Sequence, residues 1–375
     1  MKTWRKHRTP GVAGWALAAL LPAGIAAAQD DRFNLDTLIE AARKEQPITV
    51  YAVTGKIVET AKAFSEKYGV KATGKKVNEA TQIELMIREH QAGNVVGDIS
   101  VATDVASAMG QLLPEGIATS WTPPDIAADI PEKYRNPLVV VSDPHVWTYN
   151  TQRYAKCPID NVWQLTEPEW KSKVAMLDLF DKPLYADWFN QMEKHHDGDM
   201  ARAYELRYGK KLDTGKESAT ATWVKAFAKN GPLLSDSATV ANAAGAPNQP
   251  NPFFVITSTA KYRDNITSGL KLGMCTDIKP FAGFLYPGFG LIAAKTKSPN
   301  AAKLFIRYLM TEEGVAPQTV DGKLSGNSKI SLSADEPSGV SAYLGRLMTF
   351  ESTTSDDDLD RRESWQDLWR VNYRK

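Results

Sequence analysis

Apolar and polar positions follow two alternating spacings from about position 48 onwards. The stretch ITVYAVT at 48–54 is rich in β-branched and aromatic residues, which predicts a strand. The apolar residues from Ile57 to Tyr68 then recur three or four positions apart and are followed by Gly69, so the spacing predicts a helix that ends at Gly69. This segment is therefore predicted to be one strand–helix unit.

Two further units of the same kind follow. VKATGKKV predicts a more exposed strand, after which Asn78 is a suitable N-cap for a helix whose apolar face contains Ile83 and Met86. DISVATD at 98–104 predicts another strand, and the helix after it ends near Gly116. Three successive strand–helix units predict an α/β fold with a parallel sheet whose strands are joined by helices.

The middle of the chain has a different pattern. NPLVVVSDPHVWTYNT predicts two short extended runs joined by Asp143-Pro144, residues 183–230 are mainly helical, and KVAMLD, PLLSDS and PFFVITST predict strands. Later, a helix is predicted from Ser298, a suitable N-cap, to Gly314, a suitable stop. Its apolar residues share one face, so we expect this helix to belong to the core and not to a site.

The N-terminus has the three parts of a secretory signal peptide. MKTWRKHR is basic, GVAGWALAALLPAGIA is apolar, and a run of three alanines precedes Gln29, which predicts cleavage after Ala28. A membrane anchor is the alternative, but the apolar run is short for a bilayer span of about 20 residues and contains Pro22 and Gly24. We therefore predict that the mature protein is exported to the periplasm.

The charge balance changes when the predicted signal peptide is set aside. The 375 residues include 45 basic and 44 acidic ones. Without Lys2, Arg5, Lys6 and Arg8 the balance is 41 against 44. A slightly acidic protein gives no support to a nucleic-acid partner.

The length is sufficient for two domains of ordinary size, and we expect a monomer.

Motifs of catalysis and cofactor binding are missing from the sequence. It contains no nucleophile elbow, P-loop, zinc-protease motif or EF-hand loop. GFGLIA at 288–293 imitates a dinucleotide fingerprint, but its apolar surroundings predict a strand. His195-His196 lies in a polar run, and adjacent histidines on a helix point in different directions. We therefore predict that the protein is not an enzyme and has no cofactor and no metal site.

Several stretches resemble one family of proteins. In order and spacing, they are similar to segments of the periplasmic substrate-binding proteins of bacterial ABC importers, type II, in the ferric-binding-protein-like branch. The stretches are ITVYAVTGKIVETAKAFSEKYGVK, GDISVATDVASAMGQLLPEGI, VVVSDPHVWTYNT, LTEPEWKSKVAMLD and NAAKLFIRYLMTEEG. The resemblance covers most of residues 46–315. It implies a protein that captures a small-molecule ligand and delivers it to the transmembrane subunits of an ABC permease.

The resemblance also implies a domain organisation. The fold would be α/β with two lobes, hinge strands and a central ligand cleft that closes on its ligand. After the signal peptide at 1–28, the first lobe would take 29–146 and 282–335 and the second lobe 147–281, with 336–375 as a C-terminal helical segment packed on the second lobe. Cys157 and Cys275 are the only cysteines. Both would lie in the second lobe, where a disulfide is plausible, but the sequence leaves their pairing open.

Candidate ligand-binding residues follow from the strand ends. Ligands of open parallel sheets bind beyond the C-terminal ends of the strands, near helix N-termini. Polar residues follow the predicted strands, and aromatic residues lie in the implied hinge regions. The candidates are Thr54, Gly55, Asn78, Glu79, Thr103, Asp104, Tyr149, Thr257, Ser258, Thr259 and Tyr286. The alternative role of the polar residues is helix capping, and that of the tyrosines is hinge packing.

The sequence leaves three ligand classes open. The Ser/Thr cluster suits an acidic group, and Glu79 and Asp104 suit an amino group, so the leading hypothesis is an organic anion or zwitterion such as a phosphonate or carboxylate. A polyamine- or thiamine-like cation is the second hypothesis. Ferric iron is the third. Ferric-binding members use two adjacent tyrosines after the equivalent of VIT, whereas here the residues are Ser258-Thr259-Ala260, so we expect iron only as a chelate such as citrate. A secreted enzyme on the same scaffold is the alternative of another class.

Overall fold

The computed structural model of the protein describes residues 33–373, so the predicted signal peptide lies outside the described residues. Within them, twelve strands form one mixed sheet. The strands are β1 (Ile48–Ala52), β2 (Ala72–Lys76), β3 (Ile99–Ala102), β4 (Ala118–Ser120), β5 (Val139–Asn150), β6 (Val174–Leu177), β7 (Leu233–Ser235), β8 (Phe254–Ser258), β9 (Leu272–Met274), β10 (Gly283–Ala293), β11 (Leu324–Ser325) and β12 (Leu347–Thr349).

The helices lie between and after these strands. They are α1 (Leu35–Ala42), α2 (Lys56–Tyr68), α3 (Glu79–Ala92), α4 (Val105–Ser107), α5 (Leu184–Tyr208), α6 (Ala219–Lys229), α7 (Ser237–Gly245), α8 (Asp264–Thr267), α9 (Pro299–Leu309), α10 (Glu312–Thr319) and α11 (Ser355–Asn372). A π-helical turn, Ala108–Leu112, continues α4.

The first half of the sheet is built as the spacing predicts. Strand β1 lies between β2 and β3 and is parallel to both, and helices α2 and α3 connect the three strands. Helix α2 ends at Gly69, whose φ of 68° is a left-handed conformation that glycine adopts at little cost. The side chain of Asn78 accepts a hydrogen bond from the backbone N–H of Thr81 and caps α3. The predicted strand–helix units are confirmed.

The second half of the sheet has the same construction. Strand β6 is parallel to both β7 and β8, and helices α5, α6 and α7 lie in the connections between these strands. We call β1–β3 with their helices the first half, and β6–β8 with theirs the second half.

Strands β5 and β10 join the two halves. They run antiparallel, β10 also pairs with β3 of the first half, and β5 also pairs with β8 of the second half. The prediction of two short extended runs is wrong, because β5 continues through Pro144. On one edge β5 pairs with β11 at Val141 and Ser142 and then with β8 from His145 onwards. Pro144 has no N–H to donate and lies between these two partners.

Aromatic side chains fill the core at this junction. Trp147 of β5 is fully buried and stacks on Phe254 of β8, with ring centroids 5.4 Å apart. Phe284 of β10 stacks on Trp188 of α5 at 4.9 Å. Both crossing strands are therefore anchored in the apolar interior of the second half.

The late helix is shorter than predicted. Helix α9 ends at Leu309, and a separate helix α10 begins after Thr311, whose hydroxyl accepts a hydrogen bond from the Gly314 N–H. Gly314 is therefore part of the next helix and not a stop. A Cβ on Gly314 would lie 1.9 Å from the carbonyl oxygen of Tyr308, so the close approach of the two helices requires glycine. The buried apolar face of α9 is confirmed.

The C-terminal segment reaches further than predicted. It contains the strand β12, which pairs with β10, as well as the helix α11. Trp365 and Trp369 of α11 are buried, in accord with their spacing of four. Helix α11 packs on α5 and α6 of the second half, and it also packs on α4 and the π-helical turn of the first half.

Within residues 33–373, we find no helix that combines the length and the apolarity needed to cross a bilayer.

The structure joins Cys157 and Cys275 in a disulfide. This bond links the loop after β5 to the residue that follows β9, and Cys275 is fully buried.

We expect the double variant Cys157→Ala/Cys275→Ala to lower the free energy of unfolding by about 2–4 kcal/mol, because the bond removes conformational freedom from the unfolded chain. Urea unfolding of the variant and of the oxidised wild type measures this difference. Wild-type protein treated with a reductant is the control and should approach the variant. Equal unfolding midpoints with and without the reductant would show that the bond does not stabilise the protein.

Candidate functional site

The C-terminal ends of the parallel strands of both halves meet at one cavity of about 290 Å³. From the first half, the cavity is lined by residues at the ends of β1, β2 and β3, which are Thr54, Lys76 and Thr103. From the second half, it is lined by residues at the ends of β6, β7 and β8, which are Leu177, Ser237 and Ser258. This is the position at which open parallel sheets bind ligands.

Cations outnumber carboxylates in this cavity. The described residues that line it include five cations, Lys76, Lys182, Lys261, Arg263 and Lys323, and two carboxylates, Glu79 and Asp143. The cavity walls therefore have a surplus of positive charge, which favours a negatively charged ligand.

One ion pair crosses the cavity from half to half. The ammonium group of Lys182, which precedes α5 of the second half, lies 3.5 Å from the carboxylate of Glu79 in the first turn of α3. Burial raises the pKa of Glu79, and the charge of Lys182 opposes that effect. These two side chains neutralise each other across the cleft.

A second ion pair is formed at β5, one of the two strands that cross between the halves. Lys323 lies 3.2 Å from Asp143 of β5, and the hydroxyl of Ser258 donates a 2.6 Å hydrogen bond to the same carboxylate. Burial alone would raise the pKa of Asp143, but the charge of Lys323 and the hydrogen bond from Ser258 are among the effects that outweigh it, and the pKa is lowered. Asp143 therefore remains ionised beside the cavity.

The other three cations differ in their partners. Arg263 pairs with Asp321 at 2.7 Å. Among residues 33–373, we find no ion-pair or hydrogen-bond partner for the ammonium groups of Lys76 and Lys261. Lys76 belongs to the first half and Lys261 follows β8 of the second half. Each half thus contributes one uncompensated positive charge.

The floor of the cavity is formed by side chains of the crossing strands. His145 of β5 is buried and its Nδ1 lies 3.1 Å from the hydroxyl of Tyr185. Burial lowers the pKa of His145 to about 4, with Asp143 opposing this shift and Lys323 adding to it. His145 is therefore neutral at ordinary pH. Tyr286 of β10 is also buried and donates a hydrogen bond to Asp187 at 3.1 Å.

The structure brings some of the predicted residues together at the cavity and places others elsewhere. The predicted residues that line it are Thr54, Gly55, Glu79, Thr103, Ser258 and Tyr286. The predicted residues outside its lining are Asn78, Asp104, Tyr149, Thr257 and Thr259.

The residues outside the lining have identifiable structural contacts. Asn78 caps α3, and Asp104 caps α4 and pairs with Arg362 at 2.7 Å. Tyr149 lies beside the disulfide, at a separate groove that Cys157 also lines. Thr257 and Thr259 are fully buried. For Asn78 and Asp104 the capping alternative describes the observed hydrogen bonds.

Several lining residues were missed in the sequence. These are Lys76, Asp143, His145, Lys182, Ser237, Lys261, Arg263 and Lys323. Lys76 stands at the end of the predicted strand VKATGKKV, so the strand-end rule could have found it. Lys323 comes after the part of the chain that carries the resemblance, and only the fold places it at the cleft.

The described residues contain no group of three or more His, Cys, Asp and Glu side chains that could hold a metal ion. The tyrosines near the cleft are also engaged, since Tyr286 binds Asp187 and the hydroxyl of Tyr262 lies 2.8 Å from that of Thr148. The two carboxylates that line the cavity, Glu79 and Asp143, are both paired with lysines, whereas a bare ferric ion is bound by several anionic oxygens.

The sequence profile of a family described as bacterial extracellular solute-binding protein matches residues 48–322. The chain belongs to this family. It is therefore a solute-binding protein and not an enzyme, as predicted, and the resemblance noted in the sequence is confirmed. No curated protein sequence matches this solute-binding protein.

Solved structures with the same fold include iron-binding proteins. Iron-bound HitA from Pseudomonas aeruginosa has 14% identity and a TM-score of 0.64, over 87% of this chain and 99% of its own. The apo ferric ion-binding protein A of Pasteurella haemolytica has 15% identity and a TM-score of 0.64, over 87% and 98%. Trichodesmium FutA, in complex with iron and citrate ligands, has 14% identity and a TM-score of 0.62, over 87% and 99%. These likenesses confirm the predicted two-lobe α/β fold.

We expect the wild type to lose stability between pH 6.5 and 4 relative to the variant His145→Gln. The pKa of His145 is about 4 in the folded protein and 6.5 in the unfolded chain, so the unfolded chain binds the additional proton. The stability contributed by neutral His145 is thus complete above pH 6.5 and is lost as the pH falls, by up to about 3 kcal/mol. Urea unfolding of both proteins at several pH values measures the difference, and parallel curves would contradict the shift.

Proposed function

We propose that this solute-binding protein captures a small organic anion in the periplasm and delivers it to the transmembrane subunits of an ABC permease. The observation that supports the proposal is the excess of cations over carboxylates where the strand ends of both halves meet. A ligand with more than one negative charge would satisfy Lys76 and Lys261 together. Because these lysines come from different halves, such a ligand would also draw the halves towards each other.

The proposal includes the lobe boundaries. Residues 29–146 with 282–335 form the first lobe, 147–281 form the second lobe, and 336–375 form the C-terminal segment. The crossing strands β5 and β10 support these boundaries, because each passes from one half of the sheet to the other. The proposed cleft between the lobes coincides with the cavity, and the protein acts as a monomer.

A zwitterion fits the same cavity. The ion pair of Glu79 and Lys182 spans the cleft, and a ligand with one amino and one acidic group could exchange with both partners. An aminoalkylphosphonate has this combination of charges. The carboxylates available for a ligand that is only cationic, such as a polyamine, are both paired with lysines, so the cavity favours the anion.

Iron is compatible with the cavity only as a negatively charged chelate. The structural relatives named above include proteins with bound iron, and one of them contains citrate as well. The cavity of this chain lacks the cluster of anionic donors that a bare ferric ion requires, within the described residues. A ferric citrate complex would instead be recognised through its carboxylates by the lysines.

Native mass spectrometry of the mature protein, freshly purified from the periplasm, tests the ligand class. We expect a bound organic mass that is lost when the protein is denatured. A mass that contains iron together with an organic acid would identify a chelate, which the proposal accommodates. Bound iron alone, or a bound polyamine, would overturn it.

We expect Lys76→Gln and Lys261→Gln each to weaken the binding of an anion roughly 10- to 100-fold, because each removes a charge-assisted contact. A thermal-shift panel of 2-aminoethylphosphonate, citrate, ferric citrate and spermidine selects the probe, and calorimetric titration then measures its affinity. Lys62→Gln is the matched control, since Lys62 is an exposed lysine of α2 that pairs with Glu66. An equal effect of all three variants would indicate general electrostatics, and no effect of the first two would exclude the proposed contacts.

A further inference from the structure

Helix α11 lies outside the segment that the family profile matches, and it contacts both halves of the protein. The profile ends at residue 322, whereas α11 spans Ser355–Asn372. The helix packs on α5 and α6 of the second half and on α4 and the π-helical turn that follow β3 of the first half. Helix α11 therefore connects the two halves in addition to β5, β10 and the ion pair of Glu79 with Lys182.

Arg362 is the residue of α11 that binds both halves at once. Its Nη2 lies 2.7 Å from Oδ1 of Asp104, which directly follows Thr103 at the end of β3. Its Nε and Nη2 lie 3.0 and 2.9 Å from the two carboxylate oxygens of Asp187, in the first turn of α5. The exposed fraction of the three side chains is 14% for Arg362, 6% for Asp104 and 0% for Asp187. This is a buried network that spans the two halves.

The network lies directly behind the wall of the cavity. Tyr286 lines the cavity and its hydroxyl donates a hydrogen bond to Asp187. Thr103 and Leu184 also line the cavity. Thr103 directly precedes Asp104 in the sequence, and Leu184 lies one helical turn before Asp187 in α5. A change in the distance between Asp104 and Asp187 therefore changes the spacing of the cavity walls.

The attachment of α11 to the second half is the more extensive one. Trp365 donates its indole N–H to Asn190 at 3.0 Å, and Asp358 accepts hydrogen bonds from Asn190 and Gln191 at 2.8 and 2.7 Å. Trp369 stacks on Phe189 with centroids 5.8 Å apart.

The attachment to the first half depends on fewer contacts. It includes the pair of Arg362 with Asp104, a longer contact of Arg362 with Ser107, and the packing of Leu359 on Gly110. A Cβ on Gly110 would lie 2.5 Å from the side chain of Leu359, so the helix approaches the π-helical turn closely.

We propose that α11 is an interlobe clasp, that is, a helix that stays docked on the second half and also holds the first half. Arg362 is the positioning residue, and it holds the first half through Asp104. Because proteins of this fold exchange ligands by separating their lobes, the contact of Arg362 with Asp104 has to break before the cleft opens. Loss of Arg362 would leave the buried carboxylates of Asp104 and Asp187 without their counter-charge, which is a large penalty in such an environment. Loss of the Asp104 charge would leave Arg362 paired with Asp187 of the second half alone. The clasp does not depend on the chemical class of the ligand.

The distance between the halves in the ligand-stripped mature protein tests this clasp. Spin labels are placed on cysteines introduced at Val58 of α2 and Leu206 of α5, which are exposed, while Cys157 and Cys275 remain bridged. Electron–electron double resonance then gives the distance distribution. We expect one short-distance population in the wild type, and an additional long-distance population in Arg362→Met and in Asp104→Asn. Arg362→Lys should restore part of the short-distance population.

Two features of the design separate a clasp from general packing. Arg361→Met is the matched control, because the neighbouring Arg361 is exposed and pairs, among the residues that the structure describes, only with Glu193 of α5. Asp104→Asn preserves a residue suitable as the N-cap of α4 and the docking of α11 on the second half, so it remains informative if Arg362→Met fails to fold. Wild-type distributions in both Asp104→Asn and Arg362→Met would overturn the proposal. So would an equal broadening in Arg361→Met.

Discussion

The antiparallel pairing of β5 with β10 is the contact on which the rest of the structure depends. The two strands pair with each other at the centre of the sheet. On their other edges, β10 pairs with β3 of the first half and β5 pairs with β8 of the second half. All eleven residues of β10 are buried. The two halves therefore share one apolar interior at the junction, and any motion between them has to be absorbed by the ends of two strands. The position of the cleft follows directly, since the parallel strands of both halves point their C-terminal ends towards this junction.

The electrostatics of the cleft result from pairing between segments that are distant in sequence. Two of the five lysine and arginine side chains are neutralised by the carboxylates within the cavity, and a third is neutralised by Asp321 behind it. Asp104, which stands at a strand end like the lining residues, does not line the cavity and is paired with Arg362 of the C-terminal helix. The C-terminal helix thus supplies the counter-charge for a carboxylate that lies beside the cleft.

Local features of the fold could be predicted from the sequence, whereas the partners of charged side chains could not. The unit from β1 to α2 is specified by the spacing of its apolar residues and by Gly69, which are local properties. The strand-end rule selected Thr54 and Ser258 for the same reason. Lys182 and Lys323 could not be chosen in this way, because a lysine in a polar segment is most often solvated. Asp104 shows the converse limit, since its partner Arg362 stands 258 positions further along the chain.

The place of β10 in the sheet has a consequence for the order of folding. The residues between β5 and β10 form the second half without interruption. This half can therefore pair its own strands before β10 and the C-terminal segment have been synthesised. The first half cannot, because β3 remains an open edge until β10 arrives beside it. Closing that long loop is slow, and the hydrogen-bonding edge of β3 stays unpaired until it has closed. The N-terminal half of this protein is therefore expected to be the last to become native, although it is the first to be synthesised.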